Sequence, residues 1–198
     1  MKKALFTLGL FLFCIAFSQN AMAKPTKSVK SAKVNESSSK GLGLNALGVD
    51  AGLVDPEGAS STLGLGVFAD LGNLAPDVRL STHVGYWSKS ESEFGAEASV
   101  RDISVSARAK YMFHVNSPKL QPYAGAGLGI HFFHAKVDVP MAPGFSAEDS
   151  ATKLGLDLGG GVLRPVSPST DLFVDLWYTV ADIDQLAMKA GVSFQLSR

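Results

Sequence analysis

Along eight short segments of this chain, residues of one parity are apolar and never charged, while residues of the other are polar or glycine. Side chains of a strand alternate between its two faces, so a period of two is the mark of a β-strand. The clearest case is 103–113, where Ile103, Val105, Ala107, Ala109, Tyr111 and Phe113 share one face, and Ser104, Ser106, Arg108 and Lys110 share the other. One such segment suits a water-soluble barrel with an apolar interior almost as well as a membrane barrel with a polar one. All eight have to be weighed together.

The strands are read at 44–53, 62–71, 78–87, 102–113, 120–133, 153–163, 171–180 and 186–196, each about the 9–11 residues of a tilted membrane strand or slightly more. Their apolar faces include Leu47, Val49, Ala51 and Leu53; Leu63, Leu65, Val67, Ala69 and Leu71; Leu154, Leu156, Leu158 and Val162; and Leu172, Val174, Leu176 and Tyr178. None of the eight faces carries a charge. A soluble surface of this extent would carry charges, whereas a basic side chain at the lipid midplane costs ~2–4 kcal/mol. The pattern inverts that of a soluble barrel. It predicts an all-β fold, an eight-stranded antiparallel up-and-down transmembrane β-barrel with lipid outside and a polar lumen.

The ends agree with export. Lys2 and Lys3 precede an apolar run over 4–17 and the small-x-small site Ala21-Met22-Ala23, the form of a signal peptide over 1–23. The run is too short for the ~20 residues of a membrane helix. The one cysteine, Cys14, falls inside it and lacks a lipoprotein context, so the mature chain would have no thiol and no disulfide. Residues 24–41 form a basic, Ser-rich tether. Over 24–40 it holds five Lys and one Glu, 5 − 1 = +4, with little that could be buried. The barrel, 42–198, has 11 basic residues against 17 acidic, about −6, so nucleic acid is not an expected partner. The sequon Asn35-Glu36-Ser37 is too short a pattern to weigh.

Connections at 72–77, 114–119 and 164–170 are short and proline-bearing, as periplasmic turns are. Those at 88–101 and 134–152 are longer and suit the cell exterior. This orientation puts outward Tyr86, Phe132 and Tyr178 at the exterior interface and Tyr111, Phe113 and Phe194 at the periplasmic one, two aromatic girdles from an assignment made on loop length alone.

The run Pro122-Tyr123-Ala124-Gly125-Ala126-Gly127-Leu128-Gly129 and the final hairpin 171–196 resemble the small outer-membrane β-barrel superfamily of OmpA-type transmembrane domains, OmpW-like and opacity-type proteins. The resemblance spans nearly the whole mature chain. It implies a bacterial outer-membrane location, contact with outer-membrane lipids and lipopolysaccharide, and insertion by the barrel-assembly machinery. One departure is the end: Gln195-Leu196-Ser197-Arg198 follows Phe194 where such chains commonly finish on an aromatic residue.

Inward positions hold five acids, Asp50, Asp70, Asp102, Asp157 and Asp175, and five bases, Arg79, Arg108, Lys110, Lys153 and Lys189. An eight-stranded barrel is only wide enough for its side chains or one small ligand, so these ten are expected to form an ion-pair network that plugs the lumen. His83 and His131 also point inward, and neutral rings satisfied by lumen carboxylates are the expectation rather than a metal site. His114 and His134 fall in connections and are read as solvated. Gly125-Ala126-Gly127-Leu128-Gly129 imitates a dinucleotide fingerprint but opens no helix; there, as in Gly159-Gly160-Gly161, glycine serves close packing. No cofactor or metal is expected.

A barrel enzyme needs a His with a Ser and a carboxylate in reach, and Ser146, Glu148, Asp149 and Ser150 are the candidates for assisting His134. Glu91, Glu93 and Glu97 against Lys89 suit either a solvated loop or divalent-cation bridges to lipopolysaccharide phosphates. The apolar run 140–145 either binds a partner or folds over the barrel mouth. The leading expectation is a non-enzymatic structural or surface-interaction barrel. The alternatives are a narrow channel or carrier for small, including apolar, solutes as in OmpW-like proteins, and a lipid-A-modifying enzyme.

Overall fold

The computed structural model describes residues 41–93, 96–115, 120–138 and 146–196. The expected signal peptide, the tether up to residue 40 and the apolar run 140–145 lie outside them. Eight strands follow in order: β1 (Leu42–Pro56), β2 (Thr62–Ala75), β3 (Val78–Glu93), β4 (Ala96–Met112), β5 (Gln121–Asp138), β6 (Ser146–Ser167), β7 (Thr170–Val180) and β8 (Gln185–Gln195). Each pairs antiparallel with its sequence neighbours, and β8 returns to β1 from Ala46↔Gln195 to Pro56↔Gln185, closing the barrel. Closure pairs the wall strands around the ring, which is how a sheet satisfies its backbone groups in lipid.

The inversion is plain in the exposures. Leu63, Leu128 and Leu154 are 73%, 69% and 80% exposed, while Asp102 and Asp157 are each 1% exposed. No water-soluble chain places its leucines and aspartates this way round.

At the end where β1 begins and β8 ends, the β2–β3 and β6–β7 turns are short, as the prolines suggested. Between β2 and β3 the backbone turns at Asp77 (φ 62°), and inside β2 Gly72 (φ 87°) takes up the register shift between Asp70 and Asn73, its N–H donating to Asp70 Oδ1 at 2.8 Å.

The opposite end departs from expectation. The polarity of 88–101 and 134–152 suggests loops, yet β3 and β4 stay paired to Glu93↔Ala96 and β5 and β6 to Asp138↔Ser146. These polar segments hold no proline before residue 140, and serine, threonine and alternating charge pair well in water. Polarity there marks where lipid stops, not where the strands stop. The boundary falls between two rungs. Tyr86↔Ile103↔Phe132↔Thr152 still presents an apolar outer face, and Ser88↔Arg101↔His134↔Ser150, one rung farther, presents a polar one.

Candidate functional site in the barrel lumen

The lumen is built in layers. Nearest the hairpin end, inward Val54, Trp87 and Phe133 form a buried apolar cluster with Val100, Ile183 and Ala187 packed against it. Trp87 Nε1 donates to Gln185 Oε1 at 2.9 Å, and Gln185 Nε2 donates to Asp102 Oδ2 at 3.0 Å. The same Asp102 oxygen lies 2.8 Å from His131 Nδ1, and the His131 ring stacks on Phe133. The apolar cap and the first polar layer are therefore one connected unit.

Below it, Arg108 Nε donates to Asp157 Oδ2 at 2.8 Å, and Thr179 Oγ1 donates to Asp157 Oδ1 at 2.7 Å. Across the lumen Asp50 takes His83 Nε2 at 2.9 Å and Lys189 Nζ at 3.0 Å. Trp177, packed with Met112 and Tyr123, makes a second apolar layer: Arg108 lies 4.3 Å from its ring centroid, and its Nε1 donates to Asp175 Oδ2 at 2.9 Å. Tyr123 also donates to that oxygen, at 3.1 Å, and Lys110 Nζ is 4.9 Å from the Tyr123 ring centroid. Nearest the termini, Arg79 pairs with Asp70 at 2.8 Å, and Phe68 meets Phe173 edge-on.

Of the ten charges singled out from the sequence, nine face into this stack. Lys153 does not join it: its ammonium pairs with Asp182 in the β7–β8 turn, at the solvent rim. Its inward parity holds, but the β6 rung it occupies lies beyond the last residue of β7, Val180, which pairs with Leu156. His83 and His131 have the carboxylate neighbours expected. His114 is exposed near Asp77. His134 is a correction, because it sits in β5 rather than in a loop, half-buried, with Nδ1 3.2 Å from Ser150 Oγ and Nε2 3.2 Å from Glu148 Oε1.

Pattern reading missed the inward rings Phe68, Trp87, Tyr123, Phe133, Phe173 and Trp177. The signal was present as glycine. A Cβ at Gly48 would fall 2.2 Å from Phe68, one at Gly191 2.4 Å from Phe173, and one at Gly159 2.8 Å from Trp177. Large and small inward residues alternate so that rings fill a narrow barrel. On the outside, Tyr86, Phe132, Tyr111, Phe113 and Phe194 are exposed and Tyr178 is partly so. Tyr178 donates to Asp184 at 2.7 Å. Among the described residues no cluster of three or more His, Cys, Asp or Glu could hold a metal.

The pattern of the outer membrane protein beta-barrel domain matches residues 9–197. The chain belongs to that family. Among solved structures, this outer-membrane barrel is similar to Neisserial surface protein A, at 22% identity over 76% of this chain and 96% of that one, TM-score 0.60. It is similar to a major outer membrane protein of Thermus thermophilus, at 15% identity over 76% and 99%, TM-score 0.54. It is also similar to the attachment invasion locus protein of Yersinia pestis, at 14% identity over 77% and 99%, TM-score 0.51. At these identities the likeness is one of fold. No curated protein matches the sequence. The barrel's place is the bacterial outer membrane, as its uncharged, exposed apolar wall requires.

Proposed function

We propose that this outer-membrane barrel is a non-enzymatic protein with a sealed lumen, serving surface interaction through the hairpins that rise beyond the lipid. The observation that carries the proposal is how little space is left between the Trp87 and Trp177 layers: the cavity there is about 30 Å³, room for about one or two water molecules. The ten charges read from the sequence, less Lys153, hold that filling in place, and the outward aromatics seat the wall at the two lipid interfaces. With the termini in the periplasm, the basic tether lies there as well.

The test is planar-bilayer recording of the refolded protein. A sealed barrel inserts without discrete openings, while Trp87→Ala with Phe133→Ala removes the exterior cap and raises ion leakage. Discrete openings of the unmutated protein in most insertions would establish the channel reading instead.

A second reading rests on one contact set. His134, between Ser150 and Glu148 on the outer face one rung above Phe132, has the residue types of an acyl-transfer triad at the lipid interface. A lipid A mass profile that changes on expressing the protein and reverts with Ser150→Ala would favour it. An unchanged profile removes it.

A further inference from the structure

Four strands outrun the other four. β7 ends at Val180, opposite Leu156, so β6 from residue 147 to 155 has β5 on one side and no strand on the other. The facing walls are low, formed by the turns at 57–61 and 181–184. The result is a four-stranded ledge with two open edges, one on β3 and one on β6.

The two edges are not alike. On β3, the β1–β2 turn and the first residue of β2 cover the edge: Thr62 Oγ1 donates to the Ser88 carbonyl at 2.7 Å, and the Ser60 hydroxyl donates to Glu91. On β6, the Ser150 N–H donates to the side chain of its own neighbour, Asp149 Oδ1, at 2.9 Å. Backbone groups of an antiparallel strand alternate in direction, so the N–H groups of 148, 150, 152 and 154 all face away from β5. Asp149 there stands where the carbonyl of an incoming strand would accept.

We propose that the β6 edge above the lipid, residues 147–151, accepts an extended basic segment of a partner protein as an added strand. This deepens the surface-interaction reading, on which it rests, by naming the partner's chemistry. The backbone supplies affinity in strand addition and flanking side chains supply selectivity. Here the flank is acidic. Glu148 and Asp182 are 60% and 61% exposed by side chain, Asp149 is exposed, and Lys153 is held by Asp182. The ledge's other described bases, Arg101 and Lys136, lie on the inner strands β4 and β5, with Lys136 opposite Glu148, and Lys89 is on the far edge. A second copy is the wrong occupant. Joining β6 to β6 sets Glu148 and Asp149 against their own copies, and joining β6 to β3 sets them near Glu91, the like-charge arrangement that keeps edges apart. An incoming lysine would instead meet the Asp149 carboxylate as it leaves the Ser150 N–H.

The test uses the full chain refolded into phosphatidylcholine nanodiscs and a fluorescent, end-blocked Lys-Val-Lys-Val-Lys-Val-Lys peptide, read by anisotropy. The peptide should bind. Its Glu-for-Lys counterpart and a form N-methylated at alternate residues should not. Ser150→Pro removes one edge donor and keeps the backbone pairing with β5, with Ser150→Ala as the control for the lost Ser150 Oγ–His134 contact, and proline is tolerated on edges. It should weaken binding about tenfold, the equivalent of roughly one backbone hydrogen bond. Glu148→Lys, which leaves the backbone intact, should weaken it too, and Ser90→Pro on the β3 edge should not. Equal binding of the N-methylated peptide, an effect of Ser90→Pro but not of Ser150→Pro, or no binding by the unmutated protein overturns the proposal. The last result in a barrel that stays silent in bilayers removes this partner class and leaves the surface-interaction reading standing. Channel openings remove that reading itself, whatever the peptide does.

Discussion

Replacing Asp157 by Asn is the sharpest test of how the lumen is held. The change is nearly isosteric and keeps an oxygen for the Thr179 hydroxyl, but it leaves the Arg108 guanidinium without its carboxylate. The two side chains are 11% and 1% exposed, and breaking a buried pair by removing one partner costs ~3–5 kcal/mol. Both residues border the ~30 Å³ cavity, where a water can hydrate the stranded cation, so the cost should fall near the lower end, about 3 kcal/mol. Arg108→Met keeps volume over the Trp177 ring but strands Asp157. The double variant, with neither charge buried, should be more stable than Asp157→Asn alone by about 1 kcal/mol or more, since a buried pair is often replaceable by apolar groups. The assay is equilibrium urea unfolding in lipid vesicles, followed by tryptophan fluorescence. Trp87 and Trp177 are the two tryptophans, and both stand in the lumen layers. Single-variant costs that add to the double's within about 0.5 kcal/mol would refute the pairing as an energetic unit.

Other perturbations probe the wall and the rim. Gly159→Val puts a branched side chain where a Cβ alone comes within 2.3 Å of the Leu176 carbonyl oxygen and 2.8 Å of Trp177, and should cost about 1–3 kcal/mol as overpacking; an unchanged urea midpoint would mean that β7 does not pack against Gly159 in this way. Leu128→Arg, on the lipid face, should destabilise by ~2–4 kcal/mol in vesicles, and the same loss in a detergent-free soluble preparation is not expected because none should form. The Ser60 hydroxyl holds the exposed Glu91 carboxyl below its ordinary value. A carboxyl with a lowered folded pKa contributes above its unfolded value and loses that contribution as pH falls through the folded one. The link between the β1–β2 turn and β3 should therefore persist through the ordinary carboxylate range and release only in stronger acid. Ser60→Ala should bring the Glu91 titration, followed by NMR, back up toward its ordinary value.

The wall was legible because lipid imposes a rule with no exceptions. A single charge on an outward face would have been visible, and within the eight segments read from the sequence there was none; outward Arg101 and Arg164 stand on the lengths that the structure adds to β4 and β6. Strand identity, order and closure followed from that parity and from short proline-bearing turns. Strand length was not legible at 88–101 and 134–152, since the same rule falls silent in water. There a serine- and glutamate-rich strand looks like a loop until its partner is known, and the rung-by-rung pairing of Ser90 with Ser99 or Lys136 with Glu148 is information about two segments at once.

The lumen was legible in its charges but not in its filling. Parity showed Asp157 and Arg108 on the inner face, but which acid meets which base depends on how far the strands are sheared. Asp102, for example, meets no lysine or arginine among the described residues; its neighbours are the His131 ring and the Gln185 amide. The five-to-five balance of the sequence also shifts. Lys153 leaves for the rim, and Asp171, held by Gln195 Nε2 at 2.7 Å, adds a buried acid. Six inward carboxylates then face four basic side chains, and the positions left over are taken by imidazole, amide, indole and phenol donors. Those donors come on apolar bodies. Each ring that satisfies a carboxylate also occupies width, and the barrel makes that width by placing glycine opposite. The glycines and the inward rings are thus one solution to the surplus of buried acid. On the proposed sealed-lumen reading the space a channel would need is taken up in this way, and the ledge above the lipid is the part of the molecule left open to a partner.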